Sequence, residues 1–297
     1  YSDDDIKSAA RAFTGWTYEQ PVPLYPYGQR SVQYRFRPDD HDYGEKTFLG
    51  QSGNFDGSDV IDIIAKQEAT ARFIGRHLYN FFVADEAQVP AWSIEPPGDQ
   101  KAIDDLVRTW MDSDADIRAV LRTLFTSEWF KAARFQHVKS PTEFVAGVLK
   151  LSGEYSEPAP DLHKLEPTTI AMGQKLMDPP SVEGWHTGQE WIDGGTLTER
   201  VNYAVDTLND PSKPGVKALI DRIRAASDLT IPEDLVDQVL DLVGPLEVEP
   251  ATKEALVAHA ETEGSLDWGS KEAVERSTAR VVQMLTLVVS AREFQFA

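Results

Sequence analysis

The sequence predicts a mainly α-helical protein, a multi-helix bundle-like domain carrying one small β-hairpin insertion. Three observations lead there. Helix caps recur along the chain, apolar residues repeat at helical spacing over most of its length, and a single segment alternates as a strand does.

Taken in order, Ser2-Asp-Asp-Asp5 has the Ser-x-x-acid form of a capping box and opens a helix over 6–13. Ser140-Pro-Thr-Glu143 is the fullest case. Ser caps, Pro occupies the first helical position, Glu follows three residues on, and Phe144, Val145, Val148 and Leu149 share one face. Helical spacing continues over 59–66, 69–83, 101–111, 116–127, 168–177, 199–208, 216–226, 233–243, 251–260 and 271–290. Only 33–37 reads as sheet: Tyr34 and Phe36 fall on one side, and 46–49 is expected to pair with it across an acidic turn. Pro- and Gly-rich breaks fall at 20–28, 90–98, 154–160 and 178–195. The pattern suggests a helical core over 1–205, holding the acidic hairpin (33–50) and the Gly/Trp loop (178–195). C-terminal helices over 206–297 are expected to pack on that core. Two helices end alike, at 121–130 and 285–294, each with a hydroxyl, a polar turn and an aromatic plug.

The chain has 297 residues, 49 acidic against 29 basic, for a formal charge of −20. Such a balance argues against nucleic acid, because phosphate binding needs a basic face to displace counterions. An anionic membrane surface is disfavoured on the same ground. With no cysteine, disulfides, thiolate nucleophiles and Cys-ligated zinc are excluded. No apolar run approaches the ~20 residues of a membrane span, so no transmembrane segment is expected. The opening Tyr1-Ser-Asp-Asp-Asp is neither an initiator methionine nor a signal peptide, which suggests that a segment precedes it.

Two constellations concentrate polar chemistry. The first is Asp39, Asp40, His41, Asp42 and Glu45 with Gly44. Clustered carboxylates on a bent backbone are what a hard cation such as calcium takes, although the spacing is not that of an EF-hand. The plain alternative is a turn whose Asp side chains accept backbone hydrogen bonds. As a general base, His41 would need a carboxylate on its second nitrogen, a part Asp39 or Asp42 could play. The second constellation is Asp178-Pro-Pro-Ser-Val-Glu-Gly-Trp-His-Thr-Gly-Gln-Glu-Trp-Ile-Asp193. Trp185, His186 and Trp191 beside carboxylates suit sugar rings, and Glu183 with Asp193 could form an acid/base pair. Tryptophans plugging the core are the competing account. Lys139, Arg200 and Asn202 would add cationic and amide contacts if they faced the acidic turn; otherwise they read as structural ion-pair partners of the acidic segments. None of His77, His137, His163, His186 and His259 makes a metal-type pair with another histidine at helical spacing.

A set of segments resembles the bacterial family known as domain of unknown function 1800 (DUF1800). They are Asp5-Ile6 and Ala9-Ala10-Arg11-Ala12-Phe13-Thr14-Gly15-Trp16, then Phe36 with His41-Asp42-Tyr43-Gly44-Glu45-Lys46-Thr47-Phe48-Leu49-Gly50. They continue through Asp59-Val60-Ile61-Asp62, Ala71-Arg72-Phe73-Ile74, Lys139-Ser140-Pro141-Thr142-Glu143-Phe144 and Asp178–Trp185 to Arg200-Val-Asn202. Members usually carry a signal peptide and a further helical half before this region. The resemblance therefore implies export to the periplasm, the cell surface or the medium. It also implies two candidate partners, the family's N-terminal half if it is cleaved, and a DUF1501-family protein. It implies no established activity. With no nucleophile–base–acid set and no phosphate loop in view, the sequence points to a binding or assembly module of an extracellular complex. The alternative is a hydrolase-like enzyme on an extracellular polymer, a polysaccharide or sulfated glycan. It would use His41 with Asp42, or Glu183 with Asp193, around a divalent cation.

Overall fold

Ser2 starts the first helix as its sequence suggests. Its hydroxyl accepts the Asp5 N–H at 3.2 Å while the Asp5 carboxylate returns to the Ser2 N–H at 2.6 Å, closing the capping box. The computed structural model describes residues 1–19, 33–182, 184–227 and 229–297. The break expected over 20–28, and Glu183, lie outside the described residues. Thirteen α-helices and three two-stranded antiparallel sheets are found among the described residues, so the protein is mainly α with small hairpins.

Contacts gather the chain into two units, one of Tyr1–Tyr79 with Asp99–Trp129 and one of Asn80–Gly98 with Phe130–Ala297. This grouping divides the chain elsewhere than at 205. The reason is the core of the second unit, which takes side chains from helices on both sides of that point, Phe144 and Val148 before it, Val239 and Leu285 after it.

The first unit runs α1 (Asp3–Ala12), β1 (Trp16–Glu19), β2 (Gln33–Phe36), β3 (Lys46–Phe48), β4 (Gln51–Gly53), α2 (Gly57–Ala65), α3 (Glu68–Phe82), α4 (Gln100–Asp112) and α5 (Ile117–Thr126). The hairpin expected between 33–37 and 46–49 does not form. β2 pairs instead with β1, in the register Trp16↔Phe36 and Tyr18↔Tyr34. β3 turns straight back on β4 through Leu49 and Gly50, which both take positive φ. The alternation of β2 is real, but its aromatic partners lie upstream, and a tight turn after Phe48 gives β3 a nearer neighbour than β2. Residues 37–45 thus form a bend that belongs to neither hairpin, with a 3₁₀ turn at Pro38–Asp40. Below it, Ala12, Phe48, Val60 and Ile63 make a small core. On α4, Ile103, Leu106, Val107 and Trp110 are buried at helical spacing, and the Trp110 indole donates to the Ala65 carbonyl at 2.8 Å.

After α6 (Glu128–Ala132) come α7 (Pro141–Ser152), α8 (Glu166–Ala171), α9 (Gly194–Leu208), α10 (Pro214–Ala226), β5 (Leu229–Thr230), α11 (Pro232–Val243), α12 (Pro250–Glu261), β6 (Leu266–Asp267) and α13 (Lys271–Ser290). Predicted spans and observed helices agree here within a few residues except at two places: α9 starts at Gly194, five residues before the expected 199, because Asp193 caps it, and α8 stops at Ala171, short of the expected 177, because Gly173 adopts φ +99°. The box expected at Ser140 is complete: Ser140 Oγ accepts the Glu143 N–H at 3.3 Å and Glu143 Oε2 accepts the Ser140 N–H at 2.7 Å.

Candidate functional site

The bend of the first unit is built on one ion pair. Arg11, near the end of α1, reaches Asp42 with Nε at 2.6 Å from Oδ2 and Nη2 at 3.3 Å from Oδ1. Asp42 Oδ1 also accepts the Gly44 N–H at 2.8 Å, the Asx turn that its sequence position favours. With a guanidinium and a backbone donor on the charged form, the Asp42 pKa is held down at about 2. The Asp42 N–H donates to Thr14 Oγ1 at 2.8 Å, so the bend is riveted to the loop after α1.

His41 stands beside that loop. Its Nδ1 lies 2.8 Å from the Thr14 carbonyl; a carbonyl only accepts, so Nδ1 carries the proton and Nε2 is the acceptor position of the neutral ring. A backbone carbonyl, in place of Asp39 or Asp42, therefore orients this histidine. Lys46 is 2 % exposed and donates its ammonium to the Asp42 carbonyl and, at 3.0 Å, to the Gly44 carbonyl. A positive charge from the chain itself thus occupies the place on these backbone oxygens that a bound cation would take. Asp39, Asp40 and Glu45 are exposed at the rim, Asp40 facing Arg37 at 3.6 Å. Among the described residues, no group of three or more His, Asp or Glu is positioned to hold a metal ion.

What the bend and the ribbon beside it present outward is aromatic. Directly opposed residues of an antiparallel pair share a face, so Trp16, Tyr18, Tyr34 and Phe36 lie on one side of the β1–β2 ribbon. Tyr34 is 63 % exposed and Tyr18 57 %. The ridge continues through Phe36 to His41 (ring centroids 5.4 Å) and Tyr43 (4.6 Å), the latter 57 % exposed.

The Gly/Trp loop belongs to the second unit. Trp191 is buried and Trp185 is half-buried, its indole donating to the Lys175 carbonyl at 3.1 Å. His186 is exposed and paired with Glu190. Asp193 caps α9, accepting from the N–H groups of Thr196 (2.8 Å) and Gly195 (2.7 Å), and those two donors lower its pKa. Asn202 is exposed on α9. Two of the expected ligand residues are brought together: Arg200, 0 % exposed, donates from Nη2 to the Lys139 carbonyl at 2.8 Å and lies over the Phe144 ring. Burial lowers its pKa to about 10. Nη1 reaches Gln295 Oε1 at 3.5 Å, and the Lys139 N–H donates to the Gln295 carbonyl at 2.9 Å, so the pair clamps the C-terminal segment.

One arrangement escapes sequence reasoning altogether. Asp85 Oδ1 sits 2.7 Å from His137 Nδ1, in contact but without an aligned hydrogen bond, and Asp85 Oδ2 accepts the Val138 N–H at 2.8 Å. The Asp85 carboxylate raises the His137 pKa above that of an ordinary imidazole. Gly188 of the Gly/Trp loop packs on it at φ +62°; a Cβ there would meet Asp85 Cβ and Cγ at 3.0 Å. The only hint in the sequence is a glycine two residues after His186, and nothing local points it toward Asp85.

No helix among the described residues is long and apolar enough to cross a membrane. No curated protein and no solved structure matches the chain significantly. A family model does: the one described as protein of unknown function (DUF1800) matches residues 1–296. Covering the bend, the Gly/Trp loop and every helix described above, that match makes the chain a member of the DUF1800 family.

Proposed function

We propose that the protein is a binding module of an exported, cell-surface or extracellular assembly, and that the aromatic ridge of the first unit takes a polysaccharide. One observation supports this most directly, the exposure of Tyr18, Tyr34 and Tyr43 along the ribbon and the bend beside it, the bend being tied down by Arg11, Thr14 and Lys46. Apolar sugar faces stack on such rings, and the rim carboxylates of Asp39, Asp40 and Glu45 are acceptors for sugar hydroxyls. Rigid aromatic anchors bind at small entropic cost because few rotamers are frozen. The same reading makes a DUF1501-family protein a partner, for which co-purification from the native host is the check.

The test is retention of the intact protein on cellulose, chitin and peptidoglycan together with a glycan array. Binding is expected, with a loss of about tenfold or more in the Tyr18→Ala/Tyr34→Ala variant, in line with the one or two kcal/mol that an aromatic contact contributes. Failure of the wild-type chain to bind any glycan would remove the polysaccharide reading.

An enzyme reading draws on a different observation, the Asp85–His137 contact against the Gly188 turn, where a carboxylate beside an imidazole favours acid/base work. It makes the protein a hydrolase of an extracellular polymer. Release of reducing ends from such polymers, absent in His137→Gln, would support it; equal release by the variant would end it.

A further inference from the structure

A cleft of about 330 Å³ opens on the second unit, where the start of α12 meets a 3₁₀ turn at Arg292–Gln295. Phe135 and Phe296 give it apolar walls, and Arg134, Glu249 and Arg292 stand around them. The walls are tied down from outside the open space. Val138 and Phe296 form an antiparallel bridge, and the Lys139 N–H donates to the Gln295 carbonyl at 2.9 Å. Glu293 Oε1 accepts the Glu249 N–H at 2.9 Å and the Thr252 hydroxyl at 2.8 Å, which joins the start of α12 to the 3₁₀ turn. Phe135 holds φ +61°, strained backbone for a bulky side chain.

Most charges of the cleft are already engaged. Arg134 donates to Glu247 at 3.0 Å and to the Pro245 carbonyl at 2.8 Å, and its guanidinium lies 4.7 Å from the centre of the Phe135 ring. Two charges are left over. Arg292 is exposed, its guanidinium carbon 5.8 Å from the centre of the Phe296 ring, and no carboxylate pairs with it among the described residues. Glu249 is exposed as well, and although it holds the cap position of α12, its carboxylate makes no capping bond. The two lie on neighbouring pieces of backbone, because Glu293, next to Arg292, is the residue that bonds the Glu249 N–H.

We propose that this cleft binds a free α-amino acid with an aromatic side chain. The planar fork of Arg292 matches a carboxylate, Glu249 takes the ammonium, and the ligand ring lies against Phe135 and Phe296. A zwitterion also suits a chain of net charge −20, since it carries no net charge to be repelled on approach. The volume is adequate, because small-ligand pockets begin at about 300 Å³. The proposal is independent of the sugar-binding ridge, which lies in the first unit.

Titration calorimetry of the intact protein with L-phenylalanine is the test, run beside N-acetyl-L-phenylalanine and L-phenylalaninamide. Each derivative keeps the ring and only one of the two charges. L-Phenylalanine should bind with a Kd of about 1 mM or tighter, within reach of a ligand of this size. Both derivatives should bind at least about tenfold more weakly, since each leaves one charged group of the cleft unmet. Arg292→Gln and Glu249→Gln should each cost a similar factor, and both side chains are exposed, so the fold is kept. Absence of saturable binding of L-phenylalanine, equal binding of the two derivatives and the parent, or binding unmoved by both substitutions would overturn the proposal.

Discussion

Single residues in this protein act chiefly by holding bends and segments in place. Asp42 is the clearest. Its carboxyl is held at about 2 against an ordinary 3.8, so the unfolded chain takes up the proton first as acid is added. The stabilisation it gives is therefore present above pH 3.8 and lost as pH falls through about 2. Asp42→Asn should flatten the acid limb of stability between those values, read by urea unfolding at a series of pH values; an unchanged limb would place the acid sensitivity elsewhere. Arg200 acts at the other extreme of burial. Arg200→Ala would strip the Lys139 carbonyl of its donor and empty the space over Phe144, costing about 2–4 kcal/mol on denaturant unfolding. The chemistry of both side chains is plain from residue type, but their partners lie far along the chain, beyond the reach of spacing rules.

At the scale of elements, helix ends were well marked and strand partners were not. Ser140-Pro-Thr-Glu143 specifies its box within four residues, and the box forms. The similar endings at 121–130 and 285–294 also have a local cause: Ser127 (φ −71°, ψ 152°) and Ala291 (φ −67°, ψ 153°) stop their helices in the same extended conformation, and a short helical turn with aromatic residues follows each. β2 misled because a period-2 pattern announces a strand without naming its neighbour. Close approach between elements is equally silent. Gly215, near the start of α10, runs so near the end of α7 that a Cβ would stand 2.0 Å from the Leu151 carbonyl oxygen. Gly215→Ala should cost about 1–3 kcal/mol by forcing the two helices apart, visible as a lower melting temperature. An unshifted melting temperature would mean that α10 slides without penalty.

For the whole molecule, the excess of negative charge acts globally. With 49 acidic and 29 basic residues, self-repulsion opposes the folded state, and salt screens it over about 10 Å at 0.1 M. Melting temperature should rise as sodium chloride goes from about 10 mM to about 500 mM. A fall would mean that pairs such as Arg11–Asp42 and Arg72–Asp104 outweigh the repulsion. Each of the two units has its own buried side chains, those of the second drawn from α7, α9 and α10–α13.

By itself the sequence determined the mainly helical class, nearly every helix, the capping boxes at Ser2 and Ser140 and the family, since each of these is written in a few consecutive residues. It also marked residues 34–50 and 178–193 as the places where polar and aromatic groups gather. Tertiary structure alone decided that β2 lies on β1 and makes an aromatic ridge, that Lys46 fills the acidic bend, that Arg200 seats Lys139, and that Asp85 meets His137. Each of those depends on contacts between residues distant along the chain, and period, capping and turn chemistry carry no information about which distant segment arrives.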